Sequence, residues 1–547
     1  MPAHTCSTSR FGQRQGGFAM IALIALIAIM SAYLVANALA RTNAELANTR
    51  EQRSMNALRQ AKAALIAYAA SEEWQQYRSG PTNFQPGALP CPDSNDSGNS
   101  AGICSAAANR IGRLPWKTLG IDDLRDASGE RLWYALSANF RKLSGTTVIN
   151  SDTQGQLTVI GIAPASNIVA IVFAPGEAIQ GQNRDPANAL AHNSPANYLE
   201  GYNAAYDTFT STAFPSDSFN DRLLVITQAD LMSVVEPVVA AMIERDVKPY
   251  LQTYLTQWGA FPFPATFAPG PGTSTTRAQS AYVGDTTQTS GLLPITASAT
   301  YAWTGGSGTA TTLLGLPLGA GVCGTATMLV SGSPVSGWKC TFVLFLSVAA
   351  QFNVQGSLGS NAGTSFPILP GSVVTRLNGI DMTMTSPSIQ GTLTGTATGT
   401  VTYTATYGNL CLLICTIEIM IPNLAASPLT NPLDPIAGWF VANEWYRQTY
   451  YAVSPGYVPG GGAACNPLPG APSCLKVNNM PAYYALPSTN KKAILVLAGK
   501  TLNGSSRPSP NLADYLEGEN STPADFIYEH RSGVPTSIND RVVVVSP

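Results

Sequence analysis

Residues 18–40 carry no charged side chain and consist mainly of Ala, Leu, Ile, Met and Val. A helix of about 20 such residues spans a bilayer, and these 23 suffice. The helical pattern does not stop at residue 40. Residues 41–68 are helix formers of mixed charge, with Leu46, Met55, Leu58, Leu65 and Ile66 as apolar positions and neither Gly nor Pro before Gly80. The pattern predicts one rod from residue 18 to about residue 77, roughly 90 Å long, half in lipid and half outside. A second amphipathic helix is predicted over residues 228–258, where Leu231, Val234, Val235, Val238, Val239, Met242 and Ile243 recur at helical spacing.

Between and after these helices the apolar runs are short and β-branched, as strands require. Residues 169–173 and 222–226 form one such pair, and residues 493–497 and 541–545 form another. The two pairs share their surroundings. Each first strand is followed by an Arg (Arg184, Arg507), then by Tyr-Leu-Glu-Gly (residues 198–201 and 515–518), then by Asn-Asp-Arg (residues 220–222 and 539–541). The interval from the Gly to the Asn is 19 residues in one copy and 21 in the other. The likeness extends backwards, with residues 133–137 matching 450–454 and Gly-Ala-Leu-Pro-Cys-Pro (87–92) matching Gly-Ala-Phe-Pro-Phe-Pro (259–264). Repetition of order and spacing marks a duplicated unit of one helix followed by strands.

Residues 265–431 interrupt the second unit. They open on a linker-like Pro-Gly-Pro-Gly-Thr-Ser-Thr-Thr stretch (269–276) and continue with few charges. In residues 391–404 Thr alternates with Leu, Ala, Val or Gly at period two, which predicts an all-β sandwich. Residues 411–421 are apolar enough for a central strand or a contact surface.

Composition narrows the function. Charged residues make up 11% of the 547, and the formal net charge is −2, so electrostatics offers no case for nucleic acid as a partner. Of nine cysteines, Cys6 lies near the start and the others fall into close pairs: Cys91 and Cys104, Cys323 and Cys340, Cys411 and Cys415, Cys465 and Cys474. An even set in an exported chain reads as disulfides, of which neighbour pairing is the simplest connectivity and not the only one. Zinc would need C-x-x-C pairs or more histidine than His192 and His530 beyond the start of the chain.

Arg10 and Arg14, followed by Gly17 and Phe18 at the head of an apolar helix, resemble the type IV prepilin family. The resemblance implies that a leader of residues 1–17 is cut after Gly17 by a prepilin peptidase, and that Phe18 becomes a methylated N-terminus. It also implies that the helix anchors the subunit in the bacterial inner membrane, with the bulk periplasmic, before packing among sister pilin or pseudopilin helices. The chain departs from the family at Ala22, where most pilins carry a Glu that neutralises a neighbour's amine. That departure suits a subunit with no neighbour above it, as at the tip of a type II secretion pseudopilus. Two other readings compete: an ordinary secretory signal ending at the A-x-A-like residues 38–40, and a plain signal anchor.

Candidate chemistry is sparse. Asp93, Asn95 and Ser97, with Gly98 in sixth place, imitate the start of a calcium loop, but Cys104 stands where a bidentate Glu is needed. Glu200 with Arg222, and Glu517 with Arg541, are expected to pair across each sheet; no base is repeated beside them, which favours a structural role over catalysis.

The expected fold is α+β: a long N-terminal pilin-type helix (18–80), two helix-plus-sheet modules (81–227, then 228–264 with 432–547) and the inserted sandwich. The expected function is a non-catalytic subunit at or near a filament tip, without cofactor. Its alternative is a tip adhesin that takes a surface ligand on the insert.

Overall fold

The computed structural model describes residues 16–77, 85–142, 148–213, 215–272, 277–285, 287–295, 301–330, 333–344, 350–360, 374–382, 389–395, 399–407, 414–420, 438–458, 461–466, 474–480, 488–502, 504–531 and 537–547. The fold is mixed α+β, with a long N-terminal helix and several sheets.

The helix Gly16–Tyr77 is continuous over 62 residues. Its two halves meet different surroundings. The described side chains of residues 20–53 are all exposed, whereas Ser54, Ala57, Leu58, Ala61, Leu65 and Ala69 are buried. Steps of three and four place these residues on one stripe, and the stripe packs against the first sheet and the second helix.

The second helix spans residues 228–258 as Gln228–Met242, a π-turn at Ile243–Val247 and Lys248–Trp258. Thr227 and Asp230 close its N-terminus as a capping box, and Gly259 (φ 69°) ends it in the left-handed conformation. Pro249 has no amide to donate one turn back, a local cause for the wider turn before it.

In the first sheet Trp133–Leu136 lies between Ile111–Arg113 and Ala165–Ala174, and Arg222–Thr227 also pairs with Ala165–Ala174, all antiparallel. Leu157–Gly161 joins Ala165–Ala174 and carries Thr208–Ser211 parallel to itself. In the second sheet Thr449–Val453 lies between Ser290–Leu292 and Ala493–Leu497, and Arg541–Ser546 follows. Lys476–Asn478 runs parallel to Ile527–Glu529, the counterpart of the parallel pair in the first sheet.

Strand pairing sets the correspondence one residue away from the sequence match. Trp133 pairs with Phe173 and Tyr450 with Val496, so Ala170–Ala174 answers Ala493–Leu497. Asp93 and Arg113 exchange both backbone hydrogen bonds at 2.9 Å, and Ala265 and Leu292 do so at 2.8 Å, which aligns the two Gly-Ala-x-Pro segments as expected. The neighbouring Gly112 and Gly291 occupy the same place: a Cβ would lie 2.6 Å from the Asp93 carbonyl oxygen in one and 2.2 Å from that of Ala265 in the other. One core runs through Leu58 and Leu65, Tyr134 and Val172, Leu231 and Val235, and Tyr451 and Leu495, so the second helix is buried between the two sheets.

Two expectations for the insert are corrected. Ala265 and Ser290–Leu292 join the second sheet, so among the described residues the inserted sheet runs from Tyr301–Thr312 to Ile414–Met420. Its nine described strands form one antiparallel sheet rolled into a half-barrel, not a two-sheet sandwich. Phe342 and Phe352 stand on strands separated by two others, yet their ring centroids are 4.9 Å apart. Flat strands would hold them roughly 14 Å apart, so the sheet must curl. Gly308 and Gly321 permit the curl, since a Cβ on either would fall within 2.6 Å of the Phe342 ring. Ile414–Met420 is a central strand paired on both edges.

Disulfides join Cys91 to Cys104, Cys323 to Cys340 and Cys465 to Cys474. Cys323 and Cys340 face each other directly across adjacent strands. Cys415 is also disulfide-bonded; Cys411 lies outside the described residues.

Candidate functional site

The exposed half of the first helix is the most extensive candidate surface. Met20, Ile21, Leu23, Ile24, Leu26 and Ile27 are each 57–68% exposed, and the apolar side chains surround the rod rather than lining one face. It is the one described helix long and apolar enough to cross a membrane. Gly17 and Phe18 stand in its first turn. Where the rod meets the body, Arg222 bonds Glu51 at 3.1 Å, and Arg50 approaches Glu177 at 3.6 Å.

That contact corrects the expected Glu200–Arg222 pair. The Glu200 carboxylate accepts instead from the backbone amides of Asn220 and Asp221, both at 3.1 Å, and from Gln182 at 2.8 Å. In return Asp221 accepts from the Glu200 amide at 2.8 Å and from Asn203 at 3.0 Å. The second unit repeats the arrangement. Glu517 accepts from the Asn539 amide at 3.1 Å, and Asp540 accepts from the Glu517 amide at 2.9 Å and Asn520 at 3.1 Å. Arg541 lies near Arg531 and Glu236, so the expected Glu517–Arg541 pair is not what holds this loop either. Each clasp is finished by an arginine: Arg184 donates to the Gly176 carbonyl at 2.8 Å, and Arg507 donates to that of Gly499 at 2.7 Å.

Burial and the neighbouring Glu200 push the Asp221 carboxyl up to about 9. Burial, reinforced by Glu517, likewise drives Asp540 well above the carboxylate range. In its neutral form the Asp221 carboxyl donates a hydrogen bond to the Glu200 carboxylate. Two acids sharing one proton resemble a hydrolytic dyad in outline. Here both are closed around backbone amides, with Glu200 5% and Asp221 3% exposed, so the arrangement ties a loop to a strand.

The histidine chemistry is not repeated. His192 lies 3.0 Å from Asp96 through Nε2 and 3.0 Å from the Tyr198 hydroxyl through Nδ1. Arg113 bonds Asp96 at 3.1 Å and the same hydroxyl at 3.1 Å. Nothing in the sequence spacing brings Asp96, Arg113 and His192 together. In the second unit the Tyr515 hydroxyl accepts the Ser509 amide at 2.9 Å instead. Tyr198 is 2% exposed, so this cluster acts as a polar bolt between the disulfide loop and the sheet.

The calcium-like segment is occupied by its own backbone. Asp93 accepts from the amides of Asn95 (3.0 Å), Ser97 (3.3 Å) and Gly98 (2.6 Å), which makes it the hub of a polar turn. Among the described residues no group of three or more His, Cys, Asp or Glu converges as metal ligands do.

Comparison with protein-family models, curated proteins and solved structures finds no match.

Proposed function

We propose that this chain is a structural subunit of a type IV pilin-like filament, set at or near its tip and matured by cleavage after Gly17. The carrying observation is the division of the first helix: residues 20–42 are all exposed, while Leu58, Ala61 and Leu65 anchor the same rod in its core. Such a half-helix stays in lipid until sister helices replace the lipid, and the transfer keeps its backbone hydrogen bonds satisfied. In this reading the two clasped sheets are duplicated pilin-like modules, and only the first helix retains a membrane half. The partners are prepilin peptidase, the inner membrane and other pilin subunits. The disulfides accord with assembly in the periplasm. N-terminal mass spectrometry of the native protein tests the reading: methylated Phe18 supports it, whereas Arg41 indicates ordinary secretion and an intact leader a plain anchor.

A tip adhesin is the second reading, favoured by the outer face of the rolled sheet. Thr309, Asn353 and Thr404 form one cross-strand row and Ser307, Gln355 and Thr402 the next, all neutral and partly or fully exposed. Deleting residues 296–431 is expected to abolish surface attachment and leave assembly intact.

A further inference from the structure

The outer faces of the two sheets are built alike but filled differently. In the first sheet Ile111, Trp133, Phe173 and Phe209 close into a buried cluster, with the Phe173 and Phe209 rings 5.2 Å apart. Strand register assigns each a counterpart. Ile111 pairs with Ala135 as Ser290 pairs with Ala452, while the Trp133–Phe173 pair is matched by Tyr450–Val496. Thr210 and Glu529 each donate their amide to the clasp asparagine, at 2.7 and 2.8 Å, which places Tyr528 where Phe209 stands.

The second unit therefore replaces Ile by Ser, Trp by Tyr and Phe by Val around one point. A pocket of about 180 Å³ is present there, lined by Phe267, Ser290, Tyr450, Val496, Leu516 and Tyr528 among others. A mainly apolar pocket of this volume has room for a benzene-sized guest. Tyr450 adds a buried hydroxyl that has no hydrogen-bond partner among the described residues.

We propose that this pocket binds a single neutral aromatic ring, which stacks on Tyr528 in the place that Phe173 takes against Phe209 in the first unit. The first sheet is the template: its own phenyl ring fills the corresponding volume, so the guest's shape is written elsewhere in the same chain. The proposal is independent of whether the protein assembles into a filament.

The test uses the full chain in lipid nanodiscs with 4-fluorophenol, followed by fluorine NMR. One saturable site is expected, with a Kd of about 1 mM or tighter for a ligand of this size. Val496→Phe, which restores the first unit's residue, is expected to weaken binding by about tenfold or more while melting no lower than the parent. Ser290→Ile is a second, independent refill; if Val496→Phe does not fold, Ser290→Ile decides alone. Absence of saturable binding to the parent chain overturns the proposal, as does binding that survives refilling unchanged. Because the variants are compared in identical nanodiscs, partition of phenol into lipid cancels.

Discussion

The Glu200 amide donates to the Asp221 carboxylate across 2.8 Å, and the Asp221 amide returns a bond of 3.1 Å to the Glu200 carboxylate. Two acids 21 residues apart in sequence thus hold each other through their backbones, with a shared proton removing the repulsion between their side chains.

The clasp makes stability depend on pH. Asp221 has a folded pKa of about 9 against an ordinary 3.8, so the fold binds a proton that the unfolded chain releases. Its contribution is full below about pH 4 and declines as pH rises towards 9. Asp221→Asn mimics the neutral acid and is expected to flatten this decline. Asp221→Ala strands the Glu200 amide and Asn203 and is expected to cost about 1–3 kcal/mol. Urea unfolding of both variants from pH 5 to 9 checks this.

Glu236 gives a second decline in a narrower window. It is buried on the second helix between the sheets, where it accepts from Ser151 at 2.9 Å and from the Lys500 amide at 2.7 Å. Burial raises its pKa from 4.5 to about 7, so the stability gained from the neutral form is present below pH 4.5 and lost as pH rises through 7. Glu236→Gln is expected to lose less stability than the parent between pH 5 and pH 8 in thermal melts, the decline that remains being that of Asp221 and Asp540.

The two halves of the first helix are expected to respond differently to truncation. Leu58→Ala and Leu65→Ala remove fully buried side chains and are expected to destabilise the body by roughly 2–5 kcal/mol. Leu23→Ala and Leu26→Ala remove exposed side chains and are expected to leave the body's melting unchanged, lowering membrane retention instead. Thermal melts together with membrane fractionation separate the outcomes.

The Cys91–Cys104 bridge closes a separation of 13 residues over the polar turn centred on Asp93. The paired Cys91→Ser and Cys104→Ser variant is expected to lose about 3 kcal/mol, because the unfolded chain regains the entropy of that loop. Chemical unfolding with and without reductant measures the loss: the parent exceeds the variant without reductant, and the two are expected to coincide once reductant opens the remaining bridges of both.

The recurrence of Tyr-Leu-Glu-Gly and Asn-Asp-Arg was legible because each clasp is local in form: a glycine at φ of 53° or 54° follows the glutamate, and fixed spacing returns the aspartate. The partners of Glu200 were not legible. Pairing a carboxylate with an arginine follows charge, but a buried glutamate beside two free amides satisfies them first, and Arg222 reaches outward to Glu51. The Asp96, Arg113 and His192 cluster was hidden for a related reason, since a turn, the end of a strand and the end of a short helix supply it.

Hydrophobic periodicity alone determined the long rod, the second helix and the alternating strands, because each depends on which side chains share a face over a few turns or pleats. Only the folded chain decided that the second helix lies buried between two sheets, that the insert rolls into one curved sheet, and that Val496 and Ser290 leave open what Phe173 and Ile111 fill. Those outcomes depend on contacts between residues far apart in sequence, where volume and curvature select among arrangements that the local pattern permits equally.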